Sequence, residues 1–147
     1  MEPGKTCLLV DGHNVIHAWE FLSDLNRDAP RRYQAREELI RILSDHCSTA
    51  GYHGVIVFDG QGKKSALSEA ESVPGLQVFY TRSGQTADDL IEQLVRKYIN
   101  RYRLIVATGD RMEQDTVVSL GAEVVSPKQL EAEVEASGGD RSQYLRW

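Results

Sequence analysis

The chain has 147 residues, of which 41% are apolar and 27% charged, and its formal net charge is −5 at pH 7. This length suits one domain with one core, and the composition is typical of a globular rather than a disordered protein. The negative charge argues against a protein that coats nucleic acid through bulk electrostatic attraction. No apolar run approaches the ~20 residues of a membrane span. Because no secretory signal precedes the first strand-like run, we expect a cytoplasmic protein.

The first third of the sequence predicts one strand and one long helix. Residues 7–10 are apolar on both faces, which indicates a buried strand that ends at Asp11. Residues 16–30 lack a sustained period, so we expect a loop with one short helical turn. Residues 31–50 carry an apolar stripe at helical spacing. Pro30 before this stripe and Gly51 after it mark the ends of a helix.

The remaining sequence alternates between short apolar runs and helical stripes. We expect strands at residues 55–58, 76–80, 104–107 and 123–125, and helices at 87–102, 111–120 and 127–135. A polar segment at 63–75 has no clear period and reads as a long loop, which in a compact domain is usually functional or mobile.

This alternation predicts an α/β fold, a three-layer α/β/α sandwich around a parallel, Rossmann-like sheet of about five strands. We expect one domain over residues 1–136 and a polar tail over 137–147. In such sheets a ligand binds beyond the carboxyl ends of the strands, where the strand order reverses. The first and fourth predicted strands commonly flank that point.

Several acids follow the carboxyl ends of the predicted strands or begin a helix. Asp11, Asp59 and Asp110 follow three strands, and Asp88 and Asp89 begin the helix that follows a fourth. Clustered carboxylates repel one another unless a cation lies between them, and Mg²⁺ or Mn²⁺ prefers oxygen ligands. The pattern therefore predicts a divalent metal site.

Ordinary structural roles also account for most of these acids individually. Asp110 and Glu113 have the spacing of a capping box, and so do Thr86 and Asp89. Asp59 precedes glycine, as turn residues often do. Asp11 is harder to explain in this way, because no helix is predicted directly after it. Helix capping explains the acids one by one but does not predict that they converge.

Basic residues follow the same strand ends and would surround the acids. Lys63, Lys64, Arg82 and Arg111 are placed where they could contact a nucleic-acid backbone. A solvated loop charge is an equally good explanation for each of them. We predict that these four contact the phosphates of a nucleic acid if the acidic site acts on one.

Four segments together resemble the YacP-like NYN domains of the PIN-like nuclease superfamily. They are Leu-Val-Asp-Gly-His-Asn-Val-Ile at 9–16, Val-Phe-Asp at 57–59, Thr-Ala-Asp-Asp at 86–89 and Thr-Gly-Asp at 108–110. The resemblance covers roughly residues 6–135, in order. His13 stands where an aromatic residue such as tyrosine is expected, and Gly109 where serine is common, but neither difference removes a carboxylate.

The resemblance implies a metal-dependent endoribonuclease with a PIN-like sheet. By position it implicates Asp11, Asn14, Asp88 and Asp110 most directly, and Asp89 and Asp59 less so. We therefore expect catalytic roles for Asp11, Asn14, Asp88, Asp89 and Asp110, and metal binding by Asp11, Asp88, Asp110 and Asp59. The expected substrate is RNA, with mRNA as the favoured class. The ribosome is a further candidate partner, because the family includes an endoribonuclease that cleaves mRNA in the ribosomal A site.

Two other functions remain open on the residues alone. A non-catalytic RNA- or ribosome-binding module would keep the fold and the basic residues without turnover. A metal-dependent phosphatase would use the same carboxylates on a small substrate. The oligomeric state is not encoded in any motif that we can identify.

Overall fold

The computed structural model describes residues 5–60 and 70–138. The strands are β1 (Thr6–Asp11), β2 (His53–Phe58), β3 (Ala70–Val73), β4 (Leu76–Tyr80), β5 (Arg103–Ala107) and β6 (Glu123–Val125). The helices are α1 (Gly12–Ala18), α2 (Glu20–Arg27), α3 (Arg32–Ala50), α4 (Ala87–Tyr98), α5 (Arg111–Ser119) and α6 (Pro127–Gly138), with one 3-10 turn at Ala29–Arg31.

The sheet has the order β3-β4-β2-β1-β5-β6, and all its strands except β3 are parallel. The chain builds outward from β1 through β2 to β4 and then returns to β5 on the other side of β1. Strand order thus reverses between β1 and β5, as the sequence predicted, and the carboxyl ends of these two strands flank the crevice where α/β folds bind ligands.

Helices cover both faces of the sheet, which confirms the predicted three-layer sandwich. Alternate residues of β1 point to opposite faces. Leu8 and Val10 pack in a core with residues of α1, α2, α3 and α6. Cys7 and Leu9 pack in a second core with residues of α4 and α5.

The predicted loop with one short helical turn at residues 16–30 is wrong, because this segment contains the last three residues of α1 and all of α2. Each helix is short, and the backbone at Trp19 is extended between them (φ −88°, ψ 115°), so no single helical period runs through the segment. Buried Leu22 and Leu25 hold α2 against the core. The indole Nε1–H of Trp19 donates to the Pro127 carbonyl at 2.8 Å and ties this segment to α6.

The polar segment at 63–75 also contains a strand that was not predicted. β3 pairs antiparallel with β4 through a tight turn at Pro74 and Gly75, where Gly75 has a φ of +76° that favours glycine. Helix α6 continues to Gly138, past its predicted end at residue 135. Within residues 5–60 and 70–138, no helix combines the length and apolar character needed to cross a membrane.

Candidate active site

Asp11 is the last residue of β1 and is only 7% exposed. Helix α1 begins at the next residue, contrary to the expectation that no helix follows directly. Asp11 occupies the N-cap position of α1, yet its side chain makes no capping hydrogen bond to that helix. Capping therefore does not explain why a carboxylate is buried here.

Gly12 allows α1 to begin directly beneath the end of β2. A Cβ atom at this position would lie 2.4 Å from Cε1 of Phe58, which is fully buried. Such an approach is far inside van der Waals contact. Glycine is therefore required for the start of α1 to pack against Phe58 at the end of β2. This contact fixes the position of Asp11, the residue before Gly12.

Two further acids join Asp11 from α4 and α5, the helices that cover the sheet face to which Cys7 and Leu9 point. Asp88 is the second residue of α4, and Glu113 is the third residue of α5. Carboxylate oxygens of Asp11, Asp88 and Glu113 all lie within 4.8 Å of one another. We call this group the acidic cluster.

Glu113 was predicted only as the capping-box partner of Asp110, and only half of that box forms: the Glu113 N–H donates to Asp110 Oδ1 at 3.3 Å, but the return bond is absent. The Glu113 carboxylate does not reach the backbone N–H of Asp110, which donates to Oγ1 of Thr108 at 3.1 Å. Instead, Oε1 of Glu113 accepts a hydrogen bond from the Thr108 hydroxyl at 2.7 Å. Its Oε2 atom is buried, and no donor among residues 5–60 and 70–138 reaches it.

The surroundings of Glu113 disfavour its charge. Burial, together with the neighbouring carboxylate of Asp11, raises the pKa of Glu113 to about 9. A protonated Glu113 can donate to Asp11, so in the absence of a cation these two acids share one proton. Burial and the charges of nearby acids, Asp59 among them, also raise the pKa of Asp11 and of Asp88.

These features fit a divalent cation. Three carboxylates from three separate elements converge, and a buried oxygen of one of them has no donor. A hard cation with oxygen ligands would remove the repulsion that raises these pKa values, and the proton of Glu113 would leave. The donor set suits Mg²⁺ or Mn²⁺ better than a metal that prefers sulfur or nitrogen ligands.

The other predicted acids surround the cluster and also bind backbone groups. Asp110 Oδ1 accepts from the N–H groups of Met112 and Glu113, and so caps α5. Asp59 accepts from the N–H of Ala87 at 2.9 Å, at the start of α4. Asp89 and Thr86 form the predicted capping box, with both hydrogen bonds present.

Asn14 links α1 to the loop that follows β5. Its Oδ1 atom accepts a hydrogen bond from the N–H of Gly109 at 2.6 Å. A Cβ at residue 109 would lie 3.0 Å from that oxygen, so the contact is tight and suits glycine. This bond spans 95 positions of sequence and holds the loop just before Asp110.

His13 and Arg36 add polar groups on the α3 side of the cluster. The imidazole of His13 packs edge-on against Phe58 with centroids 5.4 Å apart. Burial lowers the pKa of His13; Asp59 opposes this shift, and Arg36 is near enough to reinforce it. Arg36 was not identified from the sequence, because nothing in the helical pattern of α3 shows that its N-terminus lies at the same sheet edge as Asp11.

The predicted RNA-binding residues fall into two groups. Arg82 follows β4 and Arg111 begins α5; both are exposed at the edge where the acids meet. Lys63 and Lys64 lie outside the described residues.

Comparisons with known proteins agree with the sequence motifs. The model of the family described as "YacP-like NYN domain" matches residues 8–145. A Bacillus subtilis protein, "Uncharacterized protein YacP", is 35% identical over 129 residues, which cover 87% of this chain and 74% of that one.

Two crystal structures of Rae1 (YacP) from Bacillus subtilis share the fold. The W164L mutant superposes with a TM-score of 0.76 at 33% identity, over 90% of this chain and 76% of that one. The second structure gives a TM-score of 0.75 at 32% identity, over 95% and 79% of the two chains. The chain therefore belongs to the YacP-like NYN domain family, a PIN-like family of the nuclease type.

Proposed function

We propose that this chain is a metal-dependent endoribonuclease that hydrolyses phosphodiesters of single-stranded RNA in the cytoplasm. The observation that carries the proposal is the convergence of Asp11, Asp88 and Glu113 within 4.8 Å, with a buried Glu113 oxygen that no donor satisfies in the described part of the chain. Membership of a nuclease-type family supports the same chemistry.

In this proposal Asp11, Asp88 and Glu113 hold one Mg²⁺ or Mn²⁺ ion. Such an ion lowers the pKa of water and offsets the charge that develops on a phosphoryl group. Thr108 orients Glu113 through its hydroxyl. Asp110 caps α5 through Oδ1, which leaves Oδ2 for another ligand. We assign Asp110 as the candidate ligand for a second ion.

The remaining predicted residues act by positioning. Asn14 holds the loop that precedes Asp110 through its hydrogen bond to Gly109. Asp59 and Asp89 fix the start of α4 through hydrogen bonds to Ala87 and Thr86, and so place Asp88. Both also add negative charge beside the metal.

Basic groups would hold the RNA backbone at the rim. Arg82 and Arg111 are exposed at the correct edge, and Lys63 and Lys64 are assigned the same role from sequence alone. Contacts from such residues to phosphates position a strand without reading its sequence. Arg36, close to His13 on the opposite side of the cluster, is a further candidate for a phosphate contact.

Cleavage of a labelled single-stranded RNA tests this proposal. Purified protein is incubated with the RNA in Mg²⁺ or in EDTA, beside Asp11→Asn, Asp88→Asn and Glu113→Gln. We expect internal cuts only with the metal, and each variant should lose activity by on the order of a hundredfold or more, because even groups that only support metal ligands cost about 10–100-fold when removed.

The matched control is Asp115→Asn, which removes an exposed carboxylate from the same helix as Glu113. Equal cleavage by wild type and the three cluster variants would refute the proposal. Metal-independent RNA binding without turnover would instead favour the non-catalytic module, and turnover of a generic phosphomonoester but not RNA would favour a phosphatase.

We extend the proposal to mRNA as the substrate and the ribosome as a partner on the basis of the family resemblance. Co-sedimentation of the protein with ribosomes in a sucrose gradient tests the extension. It predicts that the protein migrates with ribosomes at moderate salt, and migration only at the top of the gradient would contradict it.

A further inference from the structure

A second feature of α4 lies outside the acidic cluster. A cavity of about 430 Å³ opens between the loop at residues 82–85 and one face of α4. Its walls include Arg82, Gln85, Asp89, Glu92, Gln93 and Arg96. We call it the polar cavity.

The polar cavity lies next to the acidic cluster along α4. A smaller cavity, of about 200 Å³, lies between α4 and α5, and Asp88 and Glu113 of the cluster form part of its wall. Asp89 and Glu92 line both cavities. A strand that placed a phosphate at the acidic cluster would therefore need to pass only Asp89 and Glu92 to reach the polar cavity.

The charges around the polar cavity suit a neutral group. Two guanidinium groups, of Arg82 and Arg96, are balanced by the carboxylates of Asp89 and Glu92. Arg96 and Glu92 form an ion pair at 2.8 Å, which limits the net attraction for an anion. A phosphate placed inside the cavity would gain little, and the adjacent acids would repel it, so the backbone contact assigned to Arg82 belongs at the rim.

The hydrogen-bonding groups of the polar cavity suit the edge of a nucleobase. Gln85 lines the cavity, but its Oε1 atom is buried and does not itself face a ligand. Gln93 presents a second amide from the exposed face of α4. Amides read donor and acceptor pairs on bases, and arginine reads acceptor pairs. A volume of about 430 Å³ lies within the range of small-molecule sites and accommodates one nucleotide.

We propose that the polar cavity binds the base of a nucleotide adjacent to the scissile phosphate and gives the enzyme a sequence preference at that position. This inference rests on the proposed function, because the acidic cluster defines where the phosphate lies. Gln93 and Arg96 read the base, and Asp89 marks the boundary between the reading site and the cutting site.

Sequencing of the ends cut from a randomised single-stranded RNA pool tests the inference. The wild type should prefer particular bases at one position beside the cut. Gln93→Ala and Arg96→Ala should each reduce that preference by about two- to tenfold, the effect of losing one hydrogen bond, without changing preferences elsewhere. Both residues are exposed on α4, so both variants should fold.

Gln34→Ala is the matched control, because it removes an exposed helical glutamine from a cavity of about 410 Å³ beside α3. It should leave the preference unchanged. Ser83→Trp, which fills the polar cavity from its loop, should flatten the preference further. Wild-type preference retained by Gln93→Ala, Arg96→Ala and Ser83→Trp would overturn the inference while leaving the nuclease proposal intact.

A binding assay separates failure of the inference from failure of the proposed function. In EDTA, fluorescence anisotropy compares short RNAs that differ only at one base. If no RNA is cut but the wild type discriminates between the bases and Gln93→Ala does not, the base-binding site stands and the nuclease proposal fails. If affinity is equal for all bases in wild type and variant, the inference is overturned.

Discussion

Glu113 lies three residues after Asp110, and this spacing favours a helix cap as long as only the sequence is considered. In the fold, Thr108 supplies the oxygen that bonds the Asp110 N–H, so Glu113 is released to face Asp11. Asp11 and Asp88 were identified from their places after a strand and at a helix start. The third member of the cluster was missed because capping and metal binding use the same residue types at the same positions.

The first prediction concerns the stability of the metal-free protein. The folded chain keeps the Glu113 proton up to about pH 9, whereas an ordinary glutamate releases it near 4.5. The stability that this proton provides is therefore fully present below pH 4.5 and is lost as pH rises towards 9. In EDTA, the Tm of wild type should fall relative to Glu113→Gln as pH rises from 5.5 to 9.

The variant serves this test well because glutamine can accept from Thr108 and donate to Asp11, as protonated glutamate does. A chain of this size changes its Tm by about 2–4 °C per kcal/mol, so the two curves should diverge by several degrees. Asp115→Asn should track the wild type throughout. Parallel curves for wild type and Glu113→Gln would show that no proton is held at Glu113.

The second prediction concerns Thr108, which is fully buried. Its hydroxyl donates to Glu113 and accepts from the Asp110 N–H, so Thr108→Val should leave two polar groups unsatisfied. We expect a loss of about 1–3 kcal/mol in the free energy of unfolding, measured by urea denaturation, together with weaker cleavage. Thr116→Val, on helix α5, is the control; equal losses in both variants would rule out a special role for Thr108.

At the level of elements, the sequence predicted long or strongly apolar segments and missed short or polar ones. Buried runs identified the five parallel strands, and the stripe of α4 identified its helix. Helices α1 and α2 were missed because the extended backbone at Trp19 divides the segment into two short helices that share no single period. The indole of Trp19 ties this segment to α6. Strand β3 was missed because its sequence, Ala-Glu-Ser-Val, becomes a strand only by pairing with β4.

The third prediction tests the junction between β1, α1 and β2. Gly12→Ala places a methyl group against the ring of Phe58, and overpacking of this kind costs about 1–3 kcal/mol. The strain should also displace Asp11 and reduce cleavage. We expect the double variant Gly12→Ala, Phe58→Leu to recover part of the activity, because leucine lacks the ring atoms that clash.

A double-mutant cycle on stability and activity measures the coupling in this pair. The single variant Phe58→Leu should be destabilised by the loss of a buried ring, but the two substitutions together should cost less than the sum of their separate effects. Strict additivity would indicate that Gly12 and Phe58 do not constrain each other.

For the whole molecule, the reversal of strand order between β1 and β5 brings distant acids together. Asp11, Asp88 and Glu113 come from three parts of the chain, and only the sheet topology places them within 4.8 Å. The strand alternation in the sequence predicted that edge. The side chains that meet there are set by where the helices begin and by loop hydrogen bonds, such as the one that the Gly109 N–H donates to Asn14. Neither feature has a local sequence signal.

The fourth prediction concerns metal binding, because a chain of net charge −5 gathers three carboxylates in the acidic cluster. Mg²⁺ or Mn²⁺ should raise the Tm of the wild type, because a ligand that binds only the folded state contributes about 2.7 kcal/mol at a hundred times its Kd. Asp88→Asn should abolish most of this rise. Asp24→Asn, an exposed acid of α2, should retain it, and an equal rise in both variants would place the ion elsewhere.

The most direct measurement is anomalous diffraction from a crystal soaked in Mn²⁺. We predict one strong peak within bonding distance of carboxylate oxygens from Asp11, Asp88 and Glu113, including the buried Oε2 of Glu113. The peak should vanish in the Asp88→Asn protein. Full soaking with no peak at these oxygens, or a peak bonded only to other residues, would contradict the account.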